Sequence, residues 1–200
     1  NGDKGIQQVL DYLEIDQKRY ARKNHRFTLH HMGYYTDGMA QEIKDLGVEA
    51  SVNPYYLWAL ADKYSENGLG KERGENLVRI NSLVKREIPV SFHSDFSMAP
   101  MEPLTLAWTA INRITSEKNA FSQDQKISVF DAMKAITIDA ARTLNLEKQI
   151  GSIAEGKTAN LVILKENPFK VAPMKIKEIK VLATIFKGKF NIIKSNNLKK

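Results

Sequence analysis

The sequence predicts an α/β protein built on a parallel sheet, and three observations predict it. Three helix-then-strand units follow one another between residues 1 and 95, an order that implies parallel strands joined by right-handed crossovers. Two of those strands end in ligand-type side chains, His30-His31 and His93-Ser94-Asp95. From Gly151 onward the texture changes to short runs of β-type residues.

Ile6, Val9, Leu10 and Leu13 keep helical spacing and predict the first helix, and Phe27 to His31 is the extended run after it. Thr36 is placed to cap a second helix whose apolar positions are Met39, Ile43 and Leu46. Gly47 ends it, since glycine takes the left-handed conformation at little cost. Val48, Ala50 and Val52 alternate as the second strand. Asn53-Pro54-Tyr55-Tyr56-Leu57-Trp58 opens a polar excursion through Gly70, too long for an ordinary connection, which reads as a functional loop or lid. A helix over Glu72 to Arg86 leads to the third strand, Val90 to Asp95. Pro100 and Pro103 bracket a turn, and Leu104, Ala107, Trp108 and Ile111 line one face of the next helix. Ser128-Val129-Phe130-Asp131 is a capping signature for a helix that turns Val129, Met133, Ile136 and Ala140 inward. In the tail, Leu161 to Leu164, Ile179 to Phe186 and Phe190 to Ile193 read as strands, with Lys187-Gly188-Lys189 a tight turn.

Composition removes several classes of function. The chain has no cysteine, which excludes a disulfide framework and any thiolate ligand or nucleophile. No stretch approaches the roughly 20 apolar residues of a spanning helix, and no membrane partner is expected. The net charge of +7 and pI near 9.4 raise the question of nucleic acid. Yet the lysines spread along predicted helices and gather mainly from Lys165 to Lys200, with little aromatic interleaving of the kind that stacks bases. They read as a solvated basic surface, and no nucleic-acid partner is expected. A nucleic-acid binder would instead lose affinity steeply with added salt.

The run Pro89-Val90-Ser91-Phe92-His93-Ser94-Asp95 passes from apolar to polar and ends in an acid where a buried strand opens into a loop. A carboxylate there is costly unless it binds something. Arg26-Phe27-Thr28-Leu29-His30-His31 repeats the design with imidazoles. Neutral ring nitrogen and hard carboxylate oxygen together suit zinc or a similar cation. Asp95 is the leading candidate, its bland alternative being a cap on a following helix. In an extended strand His30 and His31 point to opposite faces, so only one of them enters the site. His93 shares a face with Asp95 one layer deeper, where it would fix a carboxylate, contact substrate or serve as a satisfied core histidine. Asn53 would offer its amide to substrate or form a turn, and Tyr55, Tyr56 and Trp58 would form an apolar wall or pack on the fold. His25 and Arg113 read as surface residues.

Four segments carry a resemblance: Arg26 to His31, Leu46-Gly47-Val48-Glu49-Ala50-Ser51-Val52-Asn53-Pro54, Ser94-Asp95, and Gly151-Ser152-Ile153-Ala154-Glu155-Gly156-Lys157-Thr158-Ala159-Asn160-Leu161-Val162-Ile163-Leu164. In this order they resemble the C-terminal half of a metal-dependent amidohydrolase. The likeness is strongest to the YtcJ-like branch of that superfamily, which includes proteins called exoenzyme regulatory protein AepA. It covers nearly the whole chain and fades in the last few residues.

The resemblance implies the C-terminal half of a TIM-like (β/α)8 barrel over residues 1–147, strands 6 to 8 with their helices, and the C-terminal part of a small β-sandwich over 148–200. A complete barrel takes about 250 residues. Asn1-Gly2-Asp3 and the segment Gly5 to Asp11 are similar to the family segment that follows a metal-binding histidine, so the chain is expected to be a fragment. The resemblance puts a metal ligand at His31, with His30 as the fallback, and makes Asp95 both ligand and general base. At His93 the superfamily usually has a small residue, so His93 is a departure. The implied cofactor is a divalent metal, zinc by ligand type, with one or two ions in the full-length protein. The implied partners are a small-molecule amide-type substrate and the N-terminal half of the same protein, with a possible homodimer. The implied reaction is hydrolysis of a non-peptide C–N bond by a metal-activated water. The alternative is a non-catalytic regulatory or binding protein on the same scaffold. A cytoplasmic location is favoured, with a secreted or periplasmic one left open because the N-terminus is expected to lie upstream.

Holding two of the expected ligands, the 200-residue chain alone is expected to bind metal weakly and to show negligible turnover. A measurable hydrolase rate from the isolated chain would contradict this reading.

Overall fold

In the computed structural model, which describes residues 1–193, helix α1 (Asp3–Arg19) turns Ile6, Leu10 and Leu13 into the core and leaves Val9 at the rim. The last residues of the 148–200 segment and of the lysine cluster lie outside the described residues. Strand β1 (Thr28–His31) follows, with Leu29 buried. Helix α2 (Asp37–Asp45) starts where Thr36 predicts, the Thr36 hydroxyl accepting from the Met39 N–H at 3.2 Å. Gly47, at φ +68°, turns the chain into β2 (Glu49–Val52). His25 is half-buried and anchors this corner, with its Nε2 2.8 Å from the Leu46 carbonyl.

β2 lies between β1 and β3 (Val90–Phe92), parallel to both, and the register pairs His31 with Val52 and Val52 with Phe92. The three strands therefore end level with one another. All four residues of β2 are buried, as a central parallel strand covered on both faces requires, so the expected alternation gives way to continuous burial. Buried Glu49 is matched by charge. Arg142 reaches it at 2.8 Å and Arg26 at 3.7 Å, and Arg26 also pairs with Glu147 at 2.8 Å.

The excursion after Asn53 is helical rather than a loop. A π-helical turn over Tyr56–Leu60 runs into α3 (Ala61–Asn67), and α4 (Lys71–Glu75) folds back on it. Leu57 and Ala61, four residues apart, bury one side, and the polar residues that suggested a loop are the solvent side of the helices. The close α3–α4 contact needs Gly74, because a Cβ there would lie 2.4 Å from the Ser65 hydroxyl oxygen and 2.5 Å from its backbone nitrogen.

The helix predicted over Glu72 to Arg86 is two helices, α4 and α5 (Ile80–Val84), broken where Val78 adopts φ +56°. The cause is Arg113, which is fully buried and not a surface residue. It follows α6 (Pro103–Asn112), and its guanidinium donates to the carbonyls of Val78 (2.6 Å), Leu77 (2.9 Å) and Phe121 (3.0 Å). Those carbonyls point to Arg113 instead of closing a continuous helix. Burial lowers the Arg113 pKa to about 10, which leaves it cationic at neutral pH. α6 is buried on all sides from Leu106 to Asn112 rather than along one face.

The helix expected from Ser128 also breaks, into α7 (Val129–Ala135) and α8 (Ile138–Thr143). Ser128 caps α7 as predicted, accepting from the Asp131 N–H at 3.0 Å. The break makes room for Gly151, where a Cβ would lie 2.6 Å from the Ala141 Cβ and 3.0 Å from the Ile138 Cα.

The tail forms an antiparallel sheet of β4 (Leu161–Leu164), β5 (Val181–Phe186) and β6 (Lys189–Ile192). Lys187 and Gly188, both at positive φ, make the two-residue hairpin turn whose twist matches its strands. The tail docks on α6, where Trp108 Nε1 donates to the Met174 carbonyl at 2.9 Å and Asn112 to the Pro173 carbonyl at 3.1 Å. Among the described residues no helix is long and apolar enough to cross a membrane.

Replacing Arg113 strands several buried carbonyls at once. Arg113→Ala is expected to lower the unfolding free energy by about 3–5 kcal/mol. Denaturant titration checks this, and a change below about 1 kcal/mol would contradict the clamp.

Candidate active site

The site is built where the level strand ends meet. The Asn53 N–H donates to the His31 carbonyl and the His93 N–H to the Val52 carbonyl, each at 3.0 Å, so one ladder continues a residue beyond β2 and the other a residue beyond β3. These bonds hold His31 and His93 on either side of the central strand. His31 then leaves β1 at φ +72°, and Asp95 turns after β3 at φ +55°. Left-handed backbone costs a non-glycine residue roughly 1–2 kcal/mol. Such conformations persist where the surrounding structure enforces them, and they gather at functional sites.

The result is a convergence across β2. His31 Nδ1 lies 3.9 Å from Asp95 Oδ2. The His31 and His93 rings meet edge to face with centroids 4.9 Å apart, and the His30 ring stands 6.1 Å from that of His93. Both neighbouring imidazoles of β1 thus flank His93. The opposite-face expectation fails because His31 has already left extended geometry.

Tyr56 completes the group. Its hydroxyl is 3.1 Å from His31 Nδ1, and the two rings stack with centroids 6.1 Å apart. Burial first, and then the charge of Asp95, raise the Tyr56 pKa, so the phenol stays protonated at neutral pH. From the sequence Tyr56 reads only as part of an apolar wall. The available signal was its place, four residues beyond the end of β2, in the segment that follows the strand into the site.

His93 is held neutral. Burial, reinforced by neighbouring His31 and His30, pushes its pKa down to about 4. Its Nε2 is buried and has no hydrogen-bond partner among the described residues. Asn53 is fully buried as well. Its Oδ1 accepts from the Tyr55 N–H at 3.1 Å and shapes the turn after β2, while its Nδ2 has no partner among the described residues. Asp95 is exposed and open to a ligand.

These residues fit a divalent cation as part of its ligand set. His31 and Asp95 supply one borderline nitrogen and one hard oxygen, and the orphaned His93 Nε2 adds a buried neutral imidazole beside them. Among the described residues no three His, Asp or Glu side chains converge to hold an ion unaided. A cavity of about 400 Å³ opens at the other end of the sheet, beside Pro89 and Val90. Its charges are matched within the fold, Lys134 to Asp139 at 3.6 Å and Arg142 to Glu49 at 2.8 Å, so it does not compete for this role.

The model of the amidohydrolase family matches residues 1–191. The chain belongs to the amidohydrolase family. It is 32% identical over 94% of its length to Protein LONG AFTER FAR-RED 3 of Arabidopsis thaliana, covering 32% of that protein. It is 28% identical to the N-substituted formamide deformylase of Arthrobacter pascens, over 94% of this chain and 34% of that one. To the amidohydrolase YtcJ of Bacillus subtilis it is 25% identical, over 97% of this chain and 36% of that one, in keeping with the YtcJ-like resemblance. Among solved structures, an uncharacterized metal-dependent hydrolase of Pyrococcus horikoshii matches 86% of this chain and 34% of its own, at 25% identity and a TM-score of 0.72. The chain spans about a third of the length of the curated relatives it matches.

In this amidohydrolase the Tyr56 hydroxyl fixes the orientation of the His31 ring. Tyr56→Phe is expected to weaken affinity for a divalent metal ion about 10–100-fold without unfolding the protein. Competition against a chelator measures this, and unchanged affinity would contradict an orienting role.

Proposed function

We propose that this chain supplies His31 and Asp95 to the centre of a metal-dependent hydrolase that cuts a non-peptide, amide-type C–N bond of a small molecule. The observation that carries the reading is the approach of His31 and Asp95 to 3.9 Å from two strands separated by a third. Such an approach at strand C-terminal ends supports residues 1–147 as strands 6 to 8 of a (β/α)8 barrel, whose active sites lie at that end. Residues 148–200 are then part of a small β-sandwich. The N-terminal half of the same protein would provide the remaining strands and ligands.

A divalent cation, zinc by donor type, would be held by His31 and Asp95 and would supply Lewis acidity and a water acidic enough to ionise near neutral pH. Asp95 carries the proton chemistry. Its carboxylate takes the proton of the attacking water and returns it to the departing amine nitrogen. Tyr56 holds the His31 ring, and His93, neutral at physiological pH, adds no positive charge beneath it. Asn53 Nδ2 offers a buried donor at the end of β2. The relative named as an N-substituted formamide deformylase supports a C–N bond of the amide type.

A regulatory or binding role on the same scaffold is the second reading, and missing metal ligands in the N-terminal half would support it. Asp95→Asn in the full-length protein separates the two. The hydrolase reading predicts a fall in kcat of about 10²–10⁴-fold on simple amides. A full-length protein free of amide hydrolysis in the presence of zinc would favour the second.

A further inference from the structure

A second cavity, of about 330 Å³, opens beside the site on the side of Tyr56. Its volume is at the lower end of small-molecule pockets, roughly 300–1,000 Å³. Tyr56 is shared, with its hydroxyl on His31 and its side chain in the cavity lining, so the space adjoins the His31 ring across one tyrosine. The other apolar walls are Tyr34, Leu60, Tyr64, Leu69 and Leu77, contributed mainly by the helical excursion and by the break between α4 and α5.

The charged side chains around it, and two of its backbone carbonyls, are already engaged. The one cation of the lining, Arg73, lies 4.2 Å above the Tyr34 ring and pairs with Asp3 at 2.8 Å. The Gly33 carbonyl accepts from the Val78 N–H at 2.8 Å and the Asn1 carbonyl from the Tyr34 N–H at 3.0 Å. Gly33 also sets the wall. A Cβ there would lie 2.9 Å from the Asn1 carbonyl oxygen and 3.3 Å from Tyr56 Cδ2. A charged occupant would find its counter-charge neutralised, whereas a flat hydrocarbon would meet three tyrosine rings and three leucines.

We propose that this cavity is the specificity pocket of the enzyme and receives an uncharged, planar apolar group carried by the substrate beside the bond that is cut. The assignment rests on the hydrolase reading for its link to catalysis, and it concerns binding.

The test is calorimetric titration of the full-length protein with benzamide, 2-naphthamide and acetamide, alongside zinc content and amide hydrolysis on the same samples. Benzamide is expected to bind at least about tenfold more tightly than acetamide. Leu69→Trp, which fills the cavity, is expected to abolish that preference. Leu69→Ala, which enlarges it, should shift the preference toward 2-naphthamide. Equal binding of benzamide and acetamide, or a preference unmoved in both variants, would overturn the proposal. If Leu69→Trp does not fold, Leu69→Ala decides alone. Selective benzamide binding in a protein that hydrolyses no amide would leave the pocket assigned and overturn the hydrolase reading. Hydrolysis without aromatic selectivity would do the reverse.

Discussion

Two backbone bonds carry the pairing on either side of β2 past the strand ends, Asn53 N–H to the His31 carbonyl beyond β2 and His93 N–H to the Val52 carbonyl beyond β3. Everything at the site is measured from those two bonds. β2 is buried at every position, so its register cannot slip without moving buried residues out of the core. Fixing β2 fixes the level of its neighbours, and their next residues, His31 on one side and His93 with Asp95 on the other, emerge together. A long gap in sequence becomes 3.9 Å in space because a strand, not a loop, measures it.

The fold opposes several local preferences to achieve this. Two non-glycine residues take left-handed backbone at the site, a third does so at Val78, and Arg113 sits wholly out of water. Each is offset by a specific partner. Val78 is held through its carbonyl by Arg113 and through its N–H by Gly33, the residue two positions beyond His31. A clamp in the helical layer is thus connected by hydrogen bonds to the end of β1, and the same segment supplies Leu77 to the cavity beside Tyr56. Among the described residues the buried Asn53 Nδ2 and His93 Nε2 have no hydrogen-bond partner.

The order of elements was legible in the sequence because it rests on local signals: the Thr36 and Ser128 caps, the glycine after α2, the apolar runs of the three strands and the Lys187-Gly188 turn. That His31 and Asp95 stand at the same end of the sheet was legible for a related reason, since each closes an apolar run that reads as a strand. The misread parts all depend on tertiary contacts. The helix break at Asn76–Arg79 is held by Arg113, and the one at Ile136–Thr137 packs against Gly151, residues distant in sequence from the breaks. Polar composition made residues 53–70 resemble a loop, although Leu57 and Ala61 suffice to bury one side of a helix. Strand parity put His30 and His31 on opposite faces, a rule that ends where the backbone turns left-handed. Tyr56 was named among the aromatic residues, but its bond to His31 belongs to the folded chain alone.

The central claim is that His31 and Asp95 converge in order to share one cation. The most direct measurement is a zinc-edge anomalous difference map from crystals of the full-length protein. The account predicts a peak within about 2.0–2.2 Å of a ring nitrogen of His31 and a carboxylate oxygen of Asp95. A zinc peak bound by other residues, with both of these side chains outside its coordination sphere, would contradict it.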